Sequence, residues 1–282
     1  MANAQAQKNG IPGVKHLIAV SSGKGGVGKS TVSANLAVAL QMLGHRVGLL
    51  DTDVYGPNIP TMMGVQEPPQ GRQDPERGEL LIPPQSHGVK VMSMGFLVKG
   101  DQPVVWRGPM LHSVVSQFLH KVDWGQLDYL VVDMPPGTGD VQLSLTQMVA
   151  VTGAVVVTTP QEVSLQDVRK AILMFEKVGV PILGIVENMS YFQAPDTGKR
   201  YDIFGTGGGR KLADKFQTRL LAEMPLNSQV REAGDTGTPV VKAKEGQVES
   251  MLWINLAKSV VEEVENRASQ KGASSGIQIG QF

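Results

Sequence analysis

Short apolar runs alternate with amphipathic stretches along most of this chain. Residues 16–20 (His-Leu-Ile-Ala-Val) form one such run. Residues 31–43 follow, with Val32, Leu36, Val38, Ala39 and Leu40 at helix spacing. Runs at 47–50, 89–92, 129–132, 154–158 and 182–186 are further candidates for buried strands. Helical patterns occupy 111–121, 142–149, 164–178, 209–216 and a last stretch near 248–264. Between 66 and 84 the rhythm fails, and prolines at 68, 69, 75, 83 and 84 predict an exposed loop or ribbon. Strand–helix alternation with right-handed crossovers predicts an α/β fold: a doubly wound, mostly parallel sheet in a three-layer αβα arrangement. One domain is expected from 15 to 267. Loose tails are expected at 1–14, rich in Gln, Asn and Ala, and at 268–282, rich in Ser, Gly and Gln.

At 282 residues the chain is long enough for one large α/β domain with a full core. Lys plus Arg and Asp plus Glu number 26 each, so no overall field steers the protein toward nucleic acid or anionic lipid. The first 15 residues lack the apolar core of a signal peptide, and no apolar run nears the ~18 residues of a membrane span. The expectation is a cytoplasmic protein with neither nucleic acid nor membrane as a partner. Cysteine is absent, which removes disulfides, a cysteine nucleophile and thiolate metal ligands from this chain.

One octapeptide narrows the chemistry. Residues 23–30 read Gly-Lys-Gly-Gly-Val-Gly-Lys-Ser and satisfy the phosphate-loop pattern GxxxxGK[ST] through Gly23, Gly28, Lys29 and Ser30. Such a loop needs glycine so that consecutive backbone N–H groups can curl round phosphate oxygens. The flanking strand and helix would place the phosphates on a helix N-terminus, where free N–H groups and the helix dipole favour negative charge. The nucleotide-binding candidates are Gly23, Lys24, Gly25, Gly26, Val27, Gly28, Lys29, Ser30 and Thr31. Lys29 is the expected catalytic cation on the terminal phosphates, and the Ser30 hydroxyl an expected Mg²⁺ ligand. Lys24 adds a second cation beside a polyanion.

Acids at the ends of predicted strands complete the candidate site. Asp51 and Asp53 follow the run at 47–50. A carboxylate there can orient an attacking water or reach Mg²⁺ through its waters, and Asp53 is assigned the water. Capping a turn is the alternative for both. Asp133 ends the run at 129–132, the place of an acid that holds Mg²⁺ through a water. Residues 134–140 (Met-Pro-Pro-Gly-Thr-Gly-Asp) combine rigid prolines with free glycines, as a phosphate-sensing switch requires. Asn188 follows the run at 182–186, and its amide offers a donor and an acceptor to the edge of adenine. No Asn/Thr-Lys-x-Asp guanine signature occurs, so ATP is favoured over GTP.

With these motifs in place, the chain resembles the Mrp/ApbC group of iron–sulfur cluster carrier ATPases, within the deviant-P-loop class that includes MinD, ParA and the arsenite-pump ATPases. The resemblance runs from about residue 11 to 267. It rests on the loop at 23–30, Asp-Thr-Asp-Val-Tyr-Gly-Pro at 51–57, Trp-Arg-Gly-Pro-Met at 106–110 and the switch at 133–140. Asn-Met-Ser-Tyr-Phe at 188–192 and Ile-Phe-Gly-Thr-Gly-Gly at 203–208 extend it. It implies a P-loop NTPase fold of deviant Walker A type and a homodimer that sandwiches two ATP molecules. Each Lys24 would then act in trans on its partner's nucleotide, and adenine contacts would fall on Asn188 and the Pro225 loop. ATP and Mg²⁺ are the implied cofactors. Iron–sulfur apoproteins or assembly scaffolds are the implied partners, and cluster assembly or transfer the implied work.

The chain departs from the group at one place. Many members carry Cys-x-x-Cys directly after Asn-Met-Ser-Tyr-Phe, whereas Ala194 and Thr197 stand at those positions here. Neither supplies the thiolate that holds such clusters, so no iron–sulfur ligands are assigned to this chain. Asp196 and Asp202 flank the position, either as hard-cation donors or as plain solvated acids. Methionines at 62, 63, 92, 94 and 110 would fill the core or line a client groove. The alternative function is a MinD/ParA-like positioning ATPase that binds a membrane, DNA or a protein partner. The acidic end of the last helical stretch, at 262–265, speaks against a membrane-binding tail.

Overall fold

The computed structural model describes residues 10–97 and 108–275. Trp106 and Arg107 of the motif at 106–110 lie outside the described residues, as do 1–9 and 276–282 of the expected tails. From the amino end, β1 (Val14–Ser22) runs through the glycine loop into α1 (Lys29–Met42), then β2 (Val47–Asp51) and the short α2 (Ile59–Met62). A ribbon of β3 (Gln70–Asp74) and β4 (Gly78–Ile82) precedes β5 (Gln85–Ser86) and β6 (Val89–Ser93). After it come α3 (Gly108–His120), β7 (Leu127–Asp133), α4 (Asp140–Met148), β8 (Gly153–Thr158), α5 (Glu162–Lys177) and β9 (Ile182–Glu187). A two-stranded hairpin, β10 (Phe192–Gln193) and β11 (Arg200–Tyr201), leads to α6 (Gly208–Lys215) and β12 (Leu220–Glu223). Helices α7 (Ser228–Asp235), α8 (Val240–Ala243) and α9 (Val248–Ser275) close the described chain.

The main sheet has the order β12-β9-β8-β1-β7-β2-β6-β5 and is parallel except for β5 at one edge. Parallel sheets of this kind are covered on both faces, which is why their strands read as continuous apolar runs. Successive residues of β1 divide between two cores. Ile18 and Val20 pack with Val32, Leu36, Trp253 and Leu256 from α1 and α9. Leu17 and Ala19 pack with Phe118, Leu145, Leu165 and Phe175 from α3, α4 and α5. Helix α1 is buried all round from Val32 to Leu40, because the sheet covers one side and α8 and α9 the other. The expected three-layer α/β fold is therefore present. Strand β1 sits centrally, so the loop after it opens at the carboxyl ends of the strands, where such sheets bind ligands.

The exposed ribbon expected at 66–84 is present as the antiparallel pair β3–β4, anchored by fully buried Leu80. Two boundaries differ from expectation. The amino-terminal tail does not stay loose as far as residue 14. Ile11 is buried in the core and its carbonyl accepts from Val14 N at 3.0 Å. At the other end, α9 runs past the expected limit at 267 to Ser275. A helix already formed extends at the cost of one residue's freedom per added bond, so Ser and Gly weaken it without ending it there. Of the two readings for the methionines, Met63, Met92 and Met94 follow the core one, being fully buried, while Met110 is exposed.

Candidate nucleotide site

The glycine loop connects the end of β1 to the first turn of α1. Gly26 and Gly28 take φ of +79° and +84°, a region where a side chain would strain the backbone. Gly28 also makes room for Asn188: a Cβ there would stand 2.1 Å from Asn188 Nδ2. That amide donates instead to Val27 O at 2.8 Å, tying the end of β9 to the loop. Gly23 answers to a different neighbour. Its Cβ would fall 2.3 Å from backbone atoms of Asp167 and Val168, so α5 presses directly on the loop. Gly25 and Gly26 are exposed, and Val27 is buried. Lys24 is half-buried, its carbonyl accepting from Ser22 Oγ at 2.9 Å, and no ion pair engages its ammonium among the described residues.

Lys29 lies beneath the loop with 6% of its surface exposed and faces a group of acids. Its Nζ stands 2.9 Å from Asp133 Oδ2 and 3.4 Å from Asp53 Oδ2. Burial alone would lower the ammonium, but the carboxylates of Asp133, Asp53 and Asp51 outweigh it and hold Lys29 above the ordinary lysine value. Ser30 Oγ donates to Asp133 Oδ2 at 2.7 Å. Strands β2 and β7 are neighbours in register at Asp51 and Asp133, which brings together acids separated by some eighty positions in the chain. Asp51 is fully buried inside β2 and accepts from Asp53 N, Ser93 Oγ and Ile59 N at 3.0, 2.8 and 3.4 Å. Burial, with the facing Asp133 carboxylate, pushes Asp51 up to about 8. A proton held there relieves repulsion between the two acids.

Two adjoining cavities open above this group. One of about 390 Å³ is lined by Lys24, Lys29, Ser30, Asp53, Tyr55 and the loop glycines. The other, about 350 Å³, is lined by Thr31, Met62, Asn188, Met189, Pro225 and Leu226. They share Gly28, Thr31, Asn58 and Met62, so the chamber over the glycine loop continues into a second one that reaches Asn188 and Pro225. A roomier cavity of about 550 Å³ lies at the amino ends of the strands, against Ile11, Val14 and Leu17. It has no helix N-terminus or glycine loop to receive an anion.

The structure thus brings Lys29, Ser30, Asp53 and Asp133 together, and places Asn188 and Pro225 at the second chamber. Sequence reasoning missed several supports. Ser33 donates to Asp133 Oδ1 at 2.7 Å, and Thr52 holds the Asp133 carbonyl through its N and Oγ1, each at 2.9 Å. Fully buried Glu187 accepts from Ser190 Oγ at 2.6 Å and from Gly209 N, clamping the base of the segment that carries β10 and β11.

Ala194 and Thr197 lie in the turn between β10 and β11. Ala194 N donates to Lys199 O at 2.9 Å and its carbonyl accepts from Gly198 N at 2.8 Å. The Arg200 guanidinium stacks on Tyr191 at 4.2 Å and pairs with Asp202 at 2.9 Å, and Asp196 accepts from Thr197 N. The two flanking acids are engaged locally, and no group of three His, Cys, Asp or Glu capable of holding a metal occurs among the described residues.

The sequence profile of NUBPL iron-transfer P-loop NTPases, within the ParA class, matches residues 13–261. The chain belongs to that family. An iron–sulfur cluster carrier protein from Synechocystis sp. is 54% identical over 252 residues, or 89% of this chain and 71% of the relative. A nucleotide-binding protein of Archaeoglobus fulgidus, solved in complex with ADP, is 39% identical with a TM-score of 0.72 and covers 86% of this chain and 92% of its own. The septum site-determining protein MinD of Pyrococcus horikoshii, solved with Mg-ADP, is 26% identical with a TM-score of 0.63, covering 87% and 95%. For an iron-transfer P-loop NTPase, the paired chambers and the buried lysine supply the expected place for a nucleotide.

Proposed function

We propose that this protein is a cytoplasmic, homodimeric Mg-ATPase that serves iron–sulfur cluster assembly or transfer to apoproteins, without holding a cluster on thiols of its own. The observation that carries the ATPase reading is Lys29 buried among Asp133, Asp53 and Ser30 at the N-terminus of α1. Lys29 would exchange its carboxylates for the β- and γ-phosphates, while backbone N–H groups of residues 23–30 curl round the remaining oxygens. Asp53, released from Lys29, would orient the attacking water. Asn188 keeps Oδ1 and one N–H for the base after donating the other to Val27, which suits adenine.

The Ser30 hydroxyl is a hard oxygen that would ligate Mg²⁺ directly, and the Asp133 carboxylate 2.7 Å from it would hold the ion through a water. Bound there, Mg²⁺ would neutralise charge on the phosphate oxygens. Lys24, on the outer side of the loop, would stabilise phosphate charge in the partner's site. Cluster cargo would remain on ligands of client or scaffold proteins, because Ala194, Thr197 and every other position of this chain lack a thiol. Anaerobic incubation with iron and sulfide tests that division of labour. We expect no stable chromophore on this protein alone, and ATP-dependent acceleration of cluster transfer from a loaded scaffold to an apoprotein. A stoichiometric cluster on the isolated chain, or transfer indifferent to ATP, would overturn it.

A further inference from the structure

We infer that Ser33 is the positioning residue that aims Asp133 at the magnesium side of the site. The inference rests on the reading of Lys29, Ser30 and Asp133 as a Mg-nucleotide site and extends it inward. Asp133 has two carboxylate oxygens with different obligations. Oδ2 receives Lys29 Nζ at 2.9 Å and Ser30 Oγ at 2.7 Å. On the proposed reading Lys29 turns to phosphate when nucleotide binds, while Ser30 gives a lone pair to the metal and keeps its O–H on Oδ2, so the contacts that change with loading fall on Oδ2. Oδ1 receives Ser33 Oγ at 2.7 Å, from a side chain with no exposed surface.

The Ser33 hydroxyl has one hydrogen and two acceptors within reach, Asp133 Oδ1 at 2.7 Å and Lys29 O at 3.1 Å. The shorter, charge-assisted bond takes it. Thr52 fixes the backbone of Asp133 from the neighbouring strand. With the backbone held and Oδ1 pinned, the carboxylate cannot swing, and Oδ2 stays directed at Ser30. Removing an outer partner of a direct metal ligand costs on the order of 10–100-fold in metal affinity, and the low end of that range is expected for a carboxylate that reaches Mg²⁺ through a water.

The test is calorimetric titration of ADP into wild type and Ser33→Ala across a series of Mg²⁺ concentrations, including none. We expect the Mg²⁺ needed for half-maximal tightening of ADP to rise about tenfold in the variant, with Mg-free ADP affinity within about twofold of wild type. Ser33→Cys keeps nearly the same volume with a weaker donor and should move in the same direction, which covers a variant too unstable to study. An unchanged Mg²⁺ requirement overturns the inference. An equal loss with and without Mg²⁺ also overturns it, since Ser33 would then merely support α1. A wild type without any magnesium-linked tightening overturns the site reading, and the role of Ser33 with it.

Discussion

Lys24 and Lys29 share a loop, and their surroundings divide their labour. Lys29 is surrounded by acids that hold it in place until a triphosphate competes for it. Lys24 makes no ion pair among the described residues and lines the chamber over the loop, from which it would reach a partner's nucleotide in the proposed dimer. Lys24→Ala should leave ATP affinity within about threefold of wild type and lower turnover at least about a hundredfold, as loss of a transition-state cation does. A loss of affinity without loss of turnover would place Lys24 on its own subunit's nucleotide. Lys29 and Ser30 could be found in the sequence because a phosphate loop is contiguous. Ser33, Thr52 and Ser93 could not, because each acts on an acid some forty to a hundred positions away.

Among the elements, α5 constrains the loop more than its own sequence suggests. Gly23 reads as a phosphate-loop glycine, yet what it cannot bear is a methyl group 2.3 Å from the backbone of Asp167 and Val168. Backbone in mid-helix has little room to yield. Gly23→Ala should therefore cost about 1–3 kcal/mol of folding stability in denaturant unfolding, even without nucleotide. Unchanged stability with weakened nucleotide binding would return Gly23 to a purely phosphate-binding role. Strand positions were legible because a doubly covered parallel sheet makes each strand a solid apolar run. Their order was not, since the β2–β7 pairing that joins Asp51 to Asp133 leaves no local trace. The β10–β11 hairpin escaped for another reason: its strands are two residues each, too short for any period to show.

At the scale of the whole molecule, the fold separates the candidate nucleotide site from the hairpin whose turn holds Ala194 and Thr197. A short chain of contacts joins the two. Asn188 reaches the loop at Val27, adjacent Glu187 clamps Gly209, and the hairpin lies on the segment between 187 and 209. That architecture has a function only if the chambers above Lys29 take a nucleotide. The most direct measurement is calorimetric titration of the purified protein with ATP, with magnesium present and then chelated. The account predicts one nucleotide bound per chain, more tightly with magnesium. Absence of binding under both conditions would contradict it.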